Sequence, residues 1–288
     1  MIHRLFFMLL GALAIQAVPV KVACVGDSIT EGAGLANASI ESYPARLQRI
    51  LGTNNFTVRN FGISGRTLLK KGDLPYWNES AFTQSRSFNP DLVIIQLGTN
   101  DSKPQNWRHG TNYVDDYKAM IALYAGLASA PRIYLCTPCP VFGAGAFDIN
   151  PGVVRTNIAP KIRDLAMELD LPVIDLHTRM TNSAWFPDTV HPNAAGMAVM
   201  NAVMFENLFG TPNESRPGLN FERLSATRAV ISWPAKWGLL VSLVTTQLRD
   251  TNTPWTLIDT AIPYGDGETI RQTNTVSGPI RFFQLKRY

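Results

Sequence analysis

A serine, a histidine and an acid together can carry out nucleophilic acyl transfer, and this sequence offers one serine at a telling place. Ser28 lies in "KVACVGDSIT", where an apolar run stops at Gly26 and Asp27 and enters a polar, glycine-containing segment. A hydroxyl is a poor nucleophile until a base takes its proton, so Ser28 needs a histidine. The chain has four. His3 falls in the N-terminal apolar segment, His109 sits in the polar "NWRHGTN", and His177 follows "VIDL" beside Asp175. His191, in "FPDTVHPNAAG", has Asp188 three residues before it. An acid at that spacing on a loop can reach the second imidazole nitrogen and fix its tautomer. Taken alone the pair is weak, since acids near histidines are common on surfaces.

Ester hydrolysis also needs donors for the developing oxyanion. "NFGISG" puts Gly62 at the end of an apolar run, where a backbone N–H without a side chain can face a substrate. "LGTND" puts the amide of Asn100 at the end of another. Each has a plainer reading, Gly62 as a turn residue and Asn100 with Asp101 as a helix cap. Ser64 in "GISGR" is a decoy, and no G-x-S-x-G elbow surrounds Ser28, which argues against the α/β-hydrolase arrangement.

The elements that must position these residues are readable. "VKVACVG", "FTVRNFG", "DLVIIQLG", "RIYLCTP" and "LPVIDL" are continuous apolar or β-branched runs, as expected for a parallel sheet covered on both faces. Between them lie helix candidates: "SYPARLQRILG", "YVDDYKAMIALYAGLAS", "VVRTNIAPKIRDLAMELD", which Pro160 should bend or make start late, and the apolar "NAAGMAVMNAVMFENLF". The alternation predicts a three-layer α/β domain over 18–209. Residues 210–218, "GTPNESRPG", read as a linker. From 219 to 288, short runs rich in β-branched and aromatic residues predict a small all-β, sandwich-like accessory domain. Trp233, Trp237 and Trp255 are its candidate glycan contacts, with core packing the plainer alternative.

The four blocks "GDSIT", "FGISG", "GTND" and "DTVHPN", in this order, resemble those of the SGNH, or GDSL-type, hydrolase superfamily. The resemblance covers about 18–209 and implies a flavodoxin-like α/β/α fold and ester hydrolysis without metal or cofactor. It implies Ser28 as nucleophile, His191 as base and acid, and Asp188 as its orienting partner. Ser28 N–H, Gly62 N–H and the Asn100 side chain would form the oxyanion hole. Asp27 and Trp107 are further candidate substrate-binding residues, with Trp107 and Trp77 as possible sugar-stacking platforms. "IIQLGTNDSKPQNW" and "PDTVHPNAAG" are similar to sialate O-acetylesterase-like proteins and other carbohydrate esterases, which makes an acylated carbohydrate the expected substrate. A lipid or thioester is the alternative, and a non-catalytic glycan-binding protein the minor one.

At 288 residues, with 45% hydrophobic and 17% charged, the chain has the composition of an ordinary globular protein. A net charge of +4 without a basic run gives no sign of nucleic-acid binding. Residues 1–17 have a basic start, an apolar core and a small residue before the cut, the layout of a signal peptide rather than a stable membrane anchor. The expected location is secreted or periplasmic. Cys136 and Cys139 in "YLCTPCPV" have metal or redox spacing but no second ligand pair nearby, so two structural thiols are expected, a local disulfide being the alternative.

Overall fold

The computed structural model describes residues 18–209 and, beyond them, the strand residues at 220–223, 228–234, 241–246, 256–257, 264–265, 269–275 and 282–287. The expected leader at 1–17 and the expected linker at 210–218 lie outside the described residues, as do the side chains of Trp233, Trp237 and Trp255.

Each of the five apolar runs forms a strand: β1 (Val20–Gly26), β2 (Phe56–Gly62), β3 (Leu92–Gln96), β4 (Arg132–Cys136) and β5 (Val173–Ile174). All pair in parallel in the order β2-β1-β3-β4-β5. That is the flavodoxin-like order, whose switch point lies at the carboxyl ends of β1 and β3. Successive side chains of β1 serve opposite layers, as the twofold strand period requires. Val22 and Cys24 join one core with the helices Tyr43–Leu51 and Ala194–Phe209. Ala23 and Val25 join the other with Ser80–Ser87, Tyr113–Ala125 and Ala159–Glu168. Each fully buried Leu or Ile of these layers contributes about 1.5–3 kcal/mol, which holds the strand ends in fixed register.

The helix Tyr43–Leu51 carries Pro44 in its first turn, where a missing N–H costs little, and stops at Gly52. Pro160 falls in the first turn of Ala159–Glu168, so the regular helix starts late, after one π-helical turn at Val154–Ile158. The widened turn accommodates a residue that cannot donate into the helical ladder. The helix Ser80–Ser87 has no counterpart among the expected elements, because "SAFTQSRS" is too short and polar to show a period.

In the C-terminal segment β6 (Asn220–Arg223), β7 (Arg228–Pro234), β10 (Tyr264–Gly265) and β11 (Thr269–Thr275) form an antiparallel sheet ordered β10-β11-β7-β6. A second, ordered β12-β8-β9, contains β8 (Val241–Thr246), β9 (Thr256–Leu257) and β12 (Phe282–Arg287). Among the described residues no helix is long and apolar enough to cross a membrane.

Candidate active site

Ser28 opens a one-turn helix, Ser28–Glu31, directly after β1. The turn is tight because two glycines let backbone approach backbone. A Cβ on Gly26 would lie 2.7 Å from the Gln96 carbonyl oxygen, and one on Gly62 would lie 2.2 Å from the Glu31 nitrogen. Asp27 caps the turn by accepting the Ile29 N–H at 3.0 Å. Its carboxyl is fully buried, and burial pushes its pKa up to about 6. Asp27 therefore shapes the serine's turn and does not reach the pocket, which corrects its expected substrate-binding role.

The loop before Ala194–Phe209 brings His191 to the serine. His191 Nε2 lies 2.8 Å from Ser28 Oγ, and Nδ1 lies 2.7 Å from Asp188 Oδ2. Asp188 Oδ1 accepts the N–H groups of His191 at 2.6 Å and Val190 at 3.0 Å. Thr189, at φ 75°, makes the short Asp-x-x-His turn. Burial alone would raise the Asp188 carboxyl, but the bonds from the His191 backbone and ring and from Val190 outweigh it and hold its pKa below the usual value. An ionised Asp188 selects the imidazole tautomer with a proton on Nδ1, leaving Nε2 free to accept from Ser28.

Of the two expected oxyanion side donors, the structure brings only Asn100 to this point. Asn100 follows β3, is buried, and donates one amide hydrogen to the Arg66 carbonyl at 3.2 Å. Gly62 is turned elsewhere. Its N–H donates to Asn60 Oδ1 at 2.8 Å, and its bare Cα seats the Ser28–Glu31 turn. The glycine that lines the pocket is Gly65, at φ 79°.

The segment carrying Gly65 is held by carboxylates that the sequence reading did not assign. Glu31 Oε2 accepts the Ser64 N–H at 2.8 Å, and the Ser64 hydroxyl donates to the same oxygen. Asp101 accepts from Leu68 N at 3.0 Å and Leu69 N at 2.7 Å, and Asp116 from Lys70 N at 2.9 Å. Arg66 pairs with Glu79 at 2.8 Å. Asp101 is fully buried, and burial, reinforced by the charge of Asp27, pushes its carboxyl up to about 7.

The resulting open pocket, of about 210 Å³, is lined by Ser28, Gly65, Asn100, Lys103, Phe147 and His191 among others. Trp107 is not among them. Its ring lies over Gly110, whose added Cβ would meet it at 2.8 Å, and 5.9 Å from Tyr113. Trp77 donates its indole N–H to the Leu68 carbonyl at 2.6 Å. Both expected platforms are packing residues. His177 is likewise apart: Asp175 beside it pairs with Arg163 at 2.9 Å, and burial lowers the His177 pKa. His109 accepts from Arg108 Nε at 3.1 Å. The three cysteines are free and buried, and burial raises their thiol pKa values, the expected behaviour of structural thiols. Among the described residues no three His, Cys, Asp or Glu side chains are grouped to hold a metal ion.

Comparison with known proteins gives a consistent picture. The sequence profile of the GDSL-like Lipase/Acylhydrolase family matches residues 24–199. The chain is 41% identical over 204 residues to an acetylxylan esterase of Xylanibacter ruminicola, a match covering 64% of this chain. It spans only 42% of that relative's length. A carbohydrate acetylesterase family member from Sinorhizobium meliloti superposes with a TM-score of 0.51 at 26% identity, covering 64% of this chain and 93% of that one. An inhibitor-bound aryl esterase of M. smegmatis shares the fold, with a TM-score of 0.55 at 21% identity over 66% of this chain and 98% of its own.

Proposed function

The chain belongs to the GDSL-like Lipase/Acylhydrolase family, and from that premise we propose that it is an exported serine esterase removing O-acetyl groups from carbohydrate. The observation that carries the reading is the unbroken chain of contacts from Ser28 Oγ through His191 to Asp188, at 2.8 and 2.7 Å, opening on a pocket. In the proposed mechanism Ser28 Oγ attacks the acetyl carbonyl while His191 Nε2 takes its proton. Asp188 stabilises the imidazolium that forms. The backbone N–H of Ser28, the second amide hydrogen of Asn100 and the N–H of Gly65 receive the oxyanion, Gly65 replacing Gly62 in that role. Collapse breaks the ester C–O bond, and His191 returns the proton to the departing sugar oxygen. Water then attacks the acetyl-enzyme with His191 again as base, releasing acetate and restoring Ser28.

The choice of substrate rests on likeness to proteins named as an acetylxylan esterase and as a carbohydrate acetylesterase family member. We assign residues 1–17 as the export signal, 18–209 as the hydrolase and 219–288 as a sandwich-like β-module that can bind glycan, joined by 210–218. Acetate release from acetylated xylan, pectin and chitooligosaccharides, with butyrate and octanoate esters alongside, tests the reading. It predicts preference for an acetylated glycan. Octanoate hydrolysis without glycan deacetylation would replace it with a lipid esterase.

A further inference from the structure

The loop after β4 supports the most exposed aromatic ring at the pocket. Phe147 and Asp148 both adopt left-handed backbone conformations, at φ 57° and 61°, after Gly143 and Gly145 at 58° and 79°. Asp148 is a residue type that tolerates this region; a phenylalanine has no local hydrogen bond to offset the steric cost. Phe147 is 59% exposed to water, yet it lines the pocket with its ring centroid 5.3 Å from that of His191.

The flanks of the loop are firmly tied. Phe142 N donates to the Thr189 carbonyl at 3.0 Å and Ala146 N to Thr189 Oγ1 at 3.1 Å, which links the loop to the turn that carries His191. Asn150 N donates to Ser102 Oγ at 3.1 Å, and Ile149 is buried with Val154 and Val190. Gly145 passes so close to the Ile149 carbonyl that an added Cβ would sit 2.1 Å from its oxygen. An apolar ring is thus held in solvent, on a strained but anchored backbone, beside the base. Strain that persists where the surroundings enforce it points to a role at the site.

We propose that Phe147 is the platform on which the sugar ring bearing the acetyl group packs its apolar C–H face, so that it sets preference for pyranose esters over small alkyl esters. This rests on the carbohydrate reading of the site and assigns to Phe147 the stacking role expected of Trp107 and Trp77. The ring positions the ester carbonyl near Ser28 Oγ by contact with the alcohol moiety, not the acyl group.

The test compares kcat/KM on acetylated xylotriose with kcat/KM on ethyl acetate. Phe147→Leu and Phe147→Gly should lower the saccharide-to-ethyl-acetate ratio about ten-fold, the loss carried by KM for the saccharide, while Phe147→Tyr keeps it. Phe147→Gly should also melt at or above the wild-type temperature, because glycine adopts the left-handed conformation freely. An unchanged ratio in the Leu and Gly variants, or a lower melting temperature for Phe147→Gly, would make the ring a packing residue and overturn the proposal. A wild-type enzyme that hydrolyses ethyl acetate but no acetylated saccharide overturns the substrate reading as well, so the two failures are distinguishable.

Discussion

Replacing Asp101 by Asn separates the burial of a charge from the hydrogen bonds it makes. Asp101 is fully buried and accepts from Leu68 N and Leu69 N, anchoring the segment that presents Gly65. Burial pushes its carboxyl up from the ordinary 3.8 to about 7. Because the folded value lies above the unfolded one, the unfolded chain releases this proton first as pH rises, and stability is lost between the two values. Integrated from pH 4.5 to 7.5, the loss is about 3 kcal/mol. Asp101→Asn abolishes this dependence, while the loss of one acceptor, facing Leu68 N, costs about 1–3 kcal/mol at every pH. Asp27, raised to about 6 by burial, titrates in both proteins and largely cancels from the difference. Urea unfolding of both proteins, followed by tryptophan fluorescence, reads the gap directly. The Asn variant should be the less stable at pH 4.5 and gain about 3 kcal/mol on the wild type by pH 7.5. A gap constant to within about 1 kcal/mol would show that Asp101 is ionised throughout, and the reasoning from burial would fail.

His191→Ala should lower turnover of small acetyl esters by about 10³-fold or more, whereas His177→Ala, whose neighbour Asp175 is committed to Arg163, should change it little; steady-state kinetics decides. Asn100→Ala should reduce kcat by about 10² to 10³ with KM nearly unchanged, and a pure rise in KM would remove it from the oxyanion hole. A chain limited to residues 18–209 should fold and keep near-full activity on ethyl acetate, because both cores of the parallel sheet are closed by helices within it; an insoluble product would show that residues after 209 complete the core.

The parallel sheet was legible because strands buried on both faces are apolar throughout, as "VACV" and "LVII" are, and because these short runs alternate with helical stretches. His191 could be told from His177 by the acid three residues before it, since that spacing permits both a backbone cap and a ring contact. The glycine that lines the pocket could not be picked out, because "FGISG" offers two glycines and strand-end position favours Gly62. The space it leaves is filled by the Ser28–Glu31 turn, a contact between segments 31 residues apart that no local pattern reveals. Asp101 looked like a helix cap because its true partners, Leu68 and Leu69, lie more than 30 residues earlier. Trp107 and Trp77 were named because residue type suggests stacking, and Phe147 drew no notice, since exposure depends on the fold: the Trp107 ring covers Gly110, whereas Phe147 stands in solvent.

The central claim is that Ser28 Oγ forms the bond to the acyl carbon, and an activated phosphonate ester, which phosphonylates a serine primed by a general base, tests it most directly. Intact-mass and peptide analysis of the inactivated enzyme should find one adduct, on the peptide containing Ser28, appearing in step with the loss of acetate release and absent from Ser28→Ala and His191→Ala. An adduct on Ser64, or acetate release that survives Ser28→Ala, would contradict the account.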